Sequence, residues 1–344
     1  MSVSRYPVLK VSHPLKISVI SPSYNHASFL PQNLDSLLNQ TYPHFEVIVV
    51  NDASTDSTHE VLSTYAAKNS RLIYHRLERN QGTMGAFNAG YQLATGDLIY
   101  GSASDDYLAT PFFFERVINL ISQNPQAAGV FGLADMVSAE TGKSIGFLGN
   151  MGGQSGYVPP EDCMNFFLAH NALIPGVSCV WRKDLVDQIG GYPVELGPQS
   201  DYFVNHALAG LAGVVFLPKK VAVHRMSTSS YNARVTFQQR IRNYALVEKK
   251  MRELKLHEGI EPSVFISWRE RLIENLMVAA PQRQMFQFFR EIIGSLNSEF
   301  WSYAPESSKT FFSSIPSECD RLEKELSELK NWALNEFKKE TGVH

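Results

Sequence analysis

The chain has 344 residues, 44% of them hydrophobic, which allows one large domain or two of ordinary size. A net charge of −3 gives no basic footprint and argues against a nucleic-acid partner. Cys163, Cys179 and Cys319 are odd in number and widely spaced, so they offer neither a zinc site nor a disulfide framework, and buried thiols in a reducing compartment are expected.

Lys16 to Ile20 reads as a first strand, stopped by Ser21-Pro22-Ser23-Tyr24-Asn25. Phe29, Leu30, Leu34, Leu37 and Leu38 then recur at helical spacing. Phe45 to Val50 is β-branched and nearly continuous, as a parallel strand buried on both faces should be. It ends in Asn51-Asp52-Ala53-Ser54-Thr55-Asp56, and Val61, Leu62 and Tyr65 belong to the next helix. Arg71 to His75 is a third strand, and Gly82 to Ala94 is helical. Leu98-Ile99-Tyr100 is a fourth strand, followed by small residues and the paired acids Asp105-Asp106. Thr110-Pro111 supplies a hydroxyl cap and a first-turn proline for a helix over Phe112 to Ile121. Ala128 to Leu133 resumes as a strand towards Val137. The Gly-, Ser- and Asn-rich stretch Thr141 to Pro160 is expected as a loop. Glu161 to His170 reads as a helix and Ile174 to Trp181 as a strand. Arg182-Lys183 leads into a short helix, and after Gly190-Gly191-Tyr192-Pro193 a helix is expected from about Asp201 to Leu208. Val214 to Phe216 and Val221 to Val223 read as two further strands, the second ending at His224-Arg225.

Beyond about residue 234 glycine becomes scarce and helical patterning dominates: Ile241, Tyr244, Ala245 and Val247, then Phe265, Trp268, Leu272 and Leu276, then Leu322, Leu326 and Leu329. The last set is too short for a coiled coil and fits an amphipathic helix. No apolar run reaches the roughly 18–20 residues that cross a bilayer. Met1 to Leu15 carries Arg5, Lys10 and two prolines, so it is no signal peptide. A cytoplasmic protein follows, with contact to the inner face of the membrane left open.

Alternating strands and helices in units of about 30 residues predict βαβ crossovers and a mostly parallel sheet. Neither common glycine-rich phosphate loop is present. Phosphates would then need a hard cation with oxygen ligands. Three strand ends carry polar signatures: Ser23-Tyr24-Asn25, Asn51 to Asp56, and Ser102 to Asp106. Each alone is ordinary turn chemistry. Together they fall where ligands bind in open α/β sheets, outside the carboxyl ends of strands.

The ordered set resembles the family 2 glycosyltransferases of the GT-A fold over about residues 15–230. It comprises Pro22 to Asn25, Val49 to Thr58, Asn80-Gln81-Gly82 with Asn88-Ala89-Gly90, Gly96-Asp97 with Asp105-Asp106, and Gly190-Gly191-Tyr192 with Asp201. The resemblance implies a Rossmann-like, mostly parallel sheet flanked by helices, with residues 1–233 as catalytic domain. Residues 234–344 would be a helical extension for the acceptor side, oligomerisation or membrane-surface contact. It further implies an inverting transfer of a hexosyl or related sugar from a UDP- or GDP-sugar to a hydroxyl acceptor. By analogy the acceptor is a glycan, a lipid-linked glycan or a cell-surface polysaccharide precursor. Pro22, Ser23, Tyr24, Asn25, Asp52, Asn80, Gly82, Ser104 and Asp105 would hold the nucleotide sugar, with Tyr24 and Asp52 on the base. Asp105 and His224 would hold Mg²⁺ or Mn²⁺, and Asp201 would be the general base.

The sequence departs from the family pattern in three places. Ala103 stands where an acid is usual, Phe87 where an arginine is frequent, and Ser227 where a late histidine is frequent, with His224 nearby. A hydroxyl of Ser102 or Ser104, directly or through a water, could stand in for the missing acid. Three alternatives stay open: a metal-dependent nucleotidyltransferase, disfavoured because Pro22 to Asn25 lacks a basic residue; a non-catalytic nucleotide-sugar-binding or scaffold protein; and a chain whose C-terminal helices are the functional part and bind a partner.

Overall fold

A computed structural model describes residues 8–9, 12–170, 172–226, 235, 237–254, 331 and 335. The two most apolar runs, Ile17–Ser23 (β1) and Phe45–Asn51 (β2), pair in parallel and are buried almost throughout. Leu72–Arg76 (β3) extends the parallel sheet beyond β2, and Leu98–Gly101 (β4) extends it beyond β1. The connections are Leu30–Leu38 (α1), Thr58–Lys68 (α2) and Gly82–Leu93 (α3). Leu30, Leu34 and Leu37 of α1 join Ile17, Val19, Val47 and Val49 in the main core. On the other face α3 lies close to the sheet because Gly90 has no side chain: a Cβ there would stand 2.7 Å from Ile20 Cγ2.

After β4 come Tyr107–Leu108 (β5), Phe113–Gln123 (α4), Gly129–Ser138 (β6), Ser144–Leu148 (β7), Gly156–Val158 (β8) and Pro160–His170 (α5). Cys179–Arg182 (β9), Lys183–Gln188 (α6), Ser200–Ala212 (α7) and Val214–Met226 (β10) follow. The strand order is β3-β2-β1-β4-β9-β6-β10-β5, with β7 on β6 and β8 on β10. The expected sheet flanked by helices is present, parallel in its first half. The second half is mixed, because β9 enters antiparallel between β4 and β6. Cys163 and Cys179 are buried and unbridged, as expected; Cys319 lies outside the described residues.

Several elements differ from the sequence reading. β1 runs through Pro22 instead of stopping at Ile20. β4 pairs only Ile17 to Ile20, so the donor that proline lacks faces a side where pairing has already ended. The stretch Thr141 to Pro160 holds two short strands, β7 and β8. Both are edge strands, and the outward Ile145 and Phe147 mask the inward pattern. Residues 176–178 form a 3₁₀ turn after Pro175, so β9 starts only at Cys179. The two expected late strands are one strand, β10, kinked where Pro218-Lys219-Lys220 shifts its register on β6. The α4 cap is Phe112, and Thr110 Oγ1 instead accepts from the Phe112 N–H, 3.3 Å away, in the preceding turn.

The chain divides into two units, the second opening at Val235. Of the second unit, Phe237–Glu253 (α8) is described, and in it Arg252 pairs with Glu248 one turn earlier. The helical patterns at Phe265 to Leu276 and Leu322 to Leu329 lie outside the described residues. Among the described residues no helix is long and apolar enough to cross a membrane.

Candidate active site

The carboxyl ends of β1 and β2 are tied together by their own polar side chains. Asn25 adopts φ 55°, its N–H donates to Ser54 Oγ (3.0 Å), and its Oδ1 accepts from the Thr55 N–H (2.8 Å). Asp56 bridges the same loops, accepting from Ala27 and Thr58 N–H groups. Burial is the largest single effect and pushes the Asp56 carboxyl up, but the donors of Thr58 and Ala27 together outweigh it and hold it below the ordinary range. Asn25 is therefore occupied in loop geometry. Tyr24, next to it, is open to solvent at 45% exposure and offers a free aromatic face.

Asp52 is buried at the end of β2. Its Oδ1 accepts from the Gln81 N–H at 2.7 Å, and its main-chain oxygen accepts from Asn80 Nδ2. Asn80 Oδ1 in turn accepts from the N–H of Gly82, whose φ of +76° suits glycine. Asp52, Asn80 and Gly82 thus meet at one strand end. Among the described residues Ser23 Oγ, buried on β1, has no hydrogen-bond partner.

The acid loop, residues 102–106, is gripped from two sides. From α1, the buried Asn33 Nδ2 lies within hydrogen-bond reach of Ser102 Oγ, Ala103 O and Asp106 O at 2.9–3.1 Å. From β10, His224 Nδ1 donates to Asp106 Oδ2 (2.8 Å) and the Arg225 N–H donates to Asp106 Oδ1 (2.7 Å). The adjacent acids consequently have different surroundings. Asp106 is buried and both its oxygens are taken. The Asp105 side chain is half-buried and accepts no hydrogen bond among the described residues. Ser104 shares its hydroxyl with His26 Nδ1 at 2.7 Å, and Ser102 is held by Asn33, so neither serine hydroxyl is idle.

Burial first, with the neighbouring Asp105 charge, leaves the Asp106 carboxyl above the ordinary range overall, although the His224 and Arg225 donors lower it. Burial would lower His224, yet Asp106 first, then Asp105 and Asp201, raise it overall. Both Asp106 oxygens accept, one from the His224 ring N–H and one from a main-chain N–H. Asp201 is thus brought back among these groups from the start of α7. It is not the helix cap, which is Gln199; its Oδ1 accepts from the Tyr202 N–H at 2.7 Å. Solvent reaches Asp201, but protein surrounds it closely, and this loss of bulk hydration raises its carboxyl above the ordinary range. Gly176 faces it directly: a Cβ there would stand 2.8 Å from Asp201 Oδ2. Phe87, where an arginine was a frequent alternative, is buried with its ring 4.5 Å from that of Tyr192.

Among the described residues no three side chains of metal-ligating type cluster closely enough to enclose a cation alone. The donors present fit a cation shared with a substrate diphosphate: the Asp105 carboxylate, and His224 Nε2 in the neutral imidazole, whose Nδ1 faces Asp106. Asp106 would orient that imidazole from behind. Asn33 and Gly176 were missed by the sequence reading. Asn33 had a signal, since it falls between Leu30 and Leu37 on the apolar face of α1, where a polar residue needs partners.

The glycosyl transferase family 2 model matches residues 18–190, half of the chain. A Bacillus subtilis glycosyltransferase, provisionally named for teichuronic acid biosynthesis, is 38% identical over 90 residues, 26% of this chain and 36% of that protein. The chain thus spans about a third of that relative. Residues 1–349 of Staphylococcus aureus TarS, solved with UDP, superpose with a TM-score of 0.58 at 18% identity, covering 95% of this chain and 90% of that one. The Pyrobaculum calidifontis mannosyltransferase PcManGT, solved with GDP-Man and Mn²⁺, gives 0.53 at 15% identity, covering 98% and 91%. These two likenesses show the GT-A-like fold.

Proposed function

The chain belongs to glycosyl transferase family 2, and from that premise we propose that it moves a sugar from a nucleoside diphosphate sugar to a hydroxyl acceptor by a single inverting displacement. The observation that carries this reading is the convergence of Asp105 and Asp201 on His224, with the Asp52–Asn80–Gly82 cluster at the end of β2 in the same sheet. Tyr24 would stack on the base, and Asp52 would accept its imide N–H. The acceptor oxygen attacks the anomeric carbon from the face opposite the diphosphate. As that bond forms, the carbon–oxygen bond to the diphosphate breaks, and its electron pair leaves with the diphosphate. Asp201 takes the acceptor proton, a role for which a raised carboxyl is suited. Mg²⁺ or Mn²⁺ held by Asp105 and His224 would neutralise the departing diphosphate as a Lewis acid. The donor is a UDP- or GDP-sugar, in line with the nucleotides bound by TarS and PcManGT. A cell-surface glycan as product is supported by the Bacillus relative named for teichuronic acid biosynthesis.

Calorimetric titration with UDP and GDP, each with Mn²⁺, Mg²⁺ or excess chelator, tests the reading. One nucleotide is expected to bind more tightly with metal than with chelator. Absence of binding by UDP, GDP, CDP and dTDP would remove the donor site. The exposed Ala103, which supplies no ligand, favours a second reading, a nucleotide-sugar-binding protein without turnover; it binds as above but releases no sugar.

Because a side chain at 176 would meet the Asp201 carboxylate, Gly176→Ala is expected to lower turnover roughly 10–100-fold, the usual penalty for a misplacement of about 1 Å. Nucleotide affinity should stay within about twofold, far below the tenfold step of 1.4 kcal/mol. Wild-type turnover in this variant would show that the carboxylate yields without cost.

A further inference from the structure

Arg225 makes an unusual number of contacts for a strand-end arginine. Its main-chain N–H is on Asp106 Oδ1, and its guanidinium donates to the main-chain oxygen of Asp105 and to Gln32 Oε1 on α1. The guanidinium also lies over two rings, 4.7 Å from the centroid of Tyr107 and 5.3 Å from that of Phe29. Those rings come from different segments, Phe29 just before α1 and Tyr107 on β5. Arg225 therefore joins α1, the acid loop and β10 at one point.

Asp105 needs such support. No hydrogen bond among the described residues holds its carboxylate, so only its backbone sets where that carboxylate points. The backbone at Asp105 is bonded through its carbonyl to Arg225. On the other side of the loop Asn33 holds residues 103 and 106 and leaves 105 untouched. We infer that Arg225 is a positioning residue that fixes Asp105 for the donor diphosphate, acting through the Asp105 carbonyl and the Gln32 anchor. This deepens the proposed function and rests on it for the diphosphate, but the fixing of Asp105 is measurable without any ligand. A planar fork with several donors is what the geometry uses. Lysine, a point charge on a flexible stem, lacks the rigid fork that serves both acceptors while staying over both rings.

In the unliganded protein, hydrogen–deuterium exchange over residues 102–108 is expected to rise about tenfold in Arg225→Ala, while β2 exchanges as in wild type. Affinity for UDP or GDP with Mn²⁺ is expected to fall roughly 10–100-fold, as when other residues that orient a metal ligand are removed. Arg225→Lys should recover only part of this loss. Millimolar guanidinium, well below denaturing levels, should restore affinity to Arg225→Ala but not to Asp105→Ala, a rescue that a merely structural role would not give. Gln32→Ala is exposed, leaves the core untouched and removes one acceptor, so it should loosen the same segment to a smaller degree even if Arg225→Ala does not fold. Wild-type exchange over 102–108 in both variants overturns the inference. So does a loosened segment with unchanged nucleotide affinity. A loosened segment in a protein whose wild type binds no nucleotide keeps Arg225 as the anchor of Asp105 and removes the donor reading instead.

Discussion

Asp201→Asn is expected to lower sugar transfer by roughly 10²–10⁴-fold, the span of a lost general base, while nucleotide affinity is retained. The substitution keeps the shape of the side chain and the contact to the Tyr202 N–H, which an amide oxygen also accepts. What it removes is the ability to take a proton from the acceptor hydroxyl. The pH profile carries a second signature. Crowding by protein raises the Asp201 carboxyl, so the ionised base is lost as pH falls through a value above the ordinary aspartate range of about 4. The acid limb of kcat/KM should lie there in wild type and be missing in the variant. Stability should move the other way. A raised native pKa means that the folded state holds the proton more tightly than the unfolded chain. Stability therefore declines as pH rises from the ordinary value through the raised one, and the ionised form is a burden at neutral pH. Asp201→Asn should accordingly melt no lower than wild type at pH 7. An Asp201→Asn protein that transfers sugar at the wild-type rate would remove Asp201 from the reaction.

Two adjacent carboxylates should respond in opposite ways. Asp105→Ala is expected to abolish the metal-dependent part of nucleotide binding and leave the melting temperature nearly unchanged, since the carboxylate supports nothing else in the described structure. Asp106→Ala should destabilise instead. It strips the partner from His224 and from the Arg225 N–H at a buried position. Two hydrogen bonds to a charged group contribute about 1.5–3 kcal/mol each. Because the His224 side chain is 36% exposed, water compensates part of that loss, and about 2–4 kcal/mol in total is expected. Denaturant melts and metal-dependent calorimetry on the two variants separate the roles. Equal effects of both substitutions on stability would mean that Asp105 is as structurally engaged as Asp106.

The first half of the sheet was readable because its signals are local. Val47 to Val50 announce a strand buried on both faces, and the Ser, Asn and Asp at each strand end announce turns facing one edge. The second half was less readable for physical reasons. β5 has two residues, and β7 and β8 are short edge strands in a Gly-rich stretch, where side-chain alternation is weak. Pro22 misled because a proline is tolerated in a strand whose neighbour has already ended. Tyr24, Asp52, Asn80, Asp105 and Asp201 entered the proposed site through the residue types and order that carry the family resemblance. Their second layer did not. Arg225 reaches Asp105, and Gly176 makes room for Asp201, only because the fold brings distant segments together, and spacing along the chain carries no trace of that.

The two contacts that β10 makes with Asp106 span 118 and 119 residues. On the ribosome, α1, β1, β2 and the acid loop emerge long before His224 and Arg225 exist as peptide. The growing chain can close its local βαβ contacts early, since these need only short loops. Until β10 is made, the acid loop has its contacts to Asn33 but lacks those to His224 and Arg225. A nascent chain arrested before residue 224 would therefore hold the parallel strands but not a finished acid loop. The proposed donor site would be completed only at the end of synthesis of this sheet.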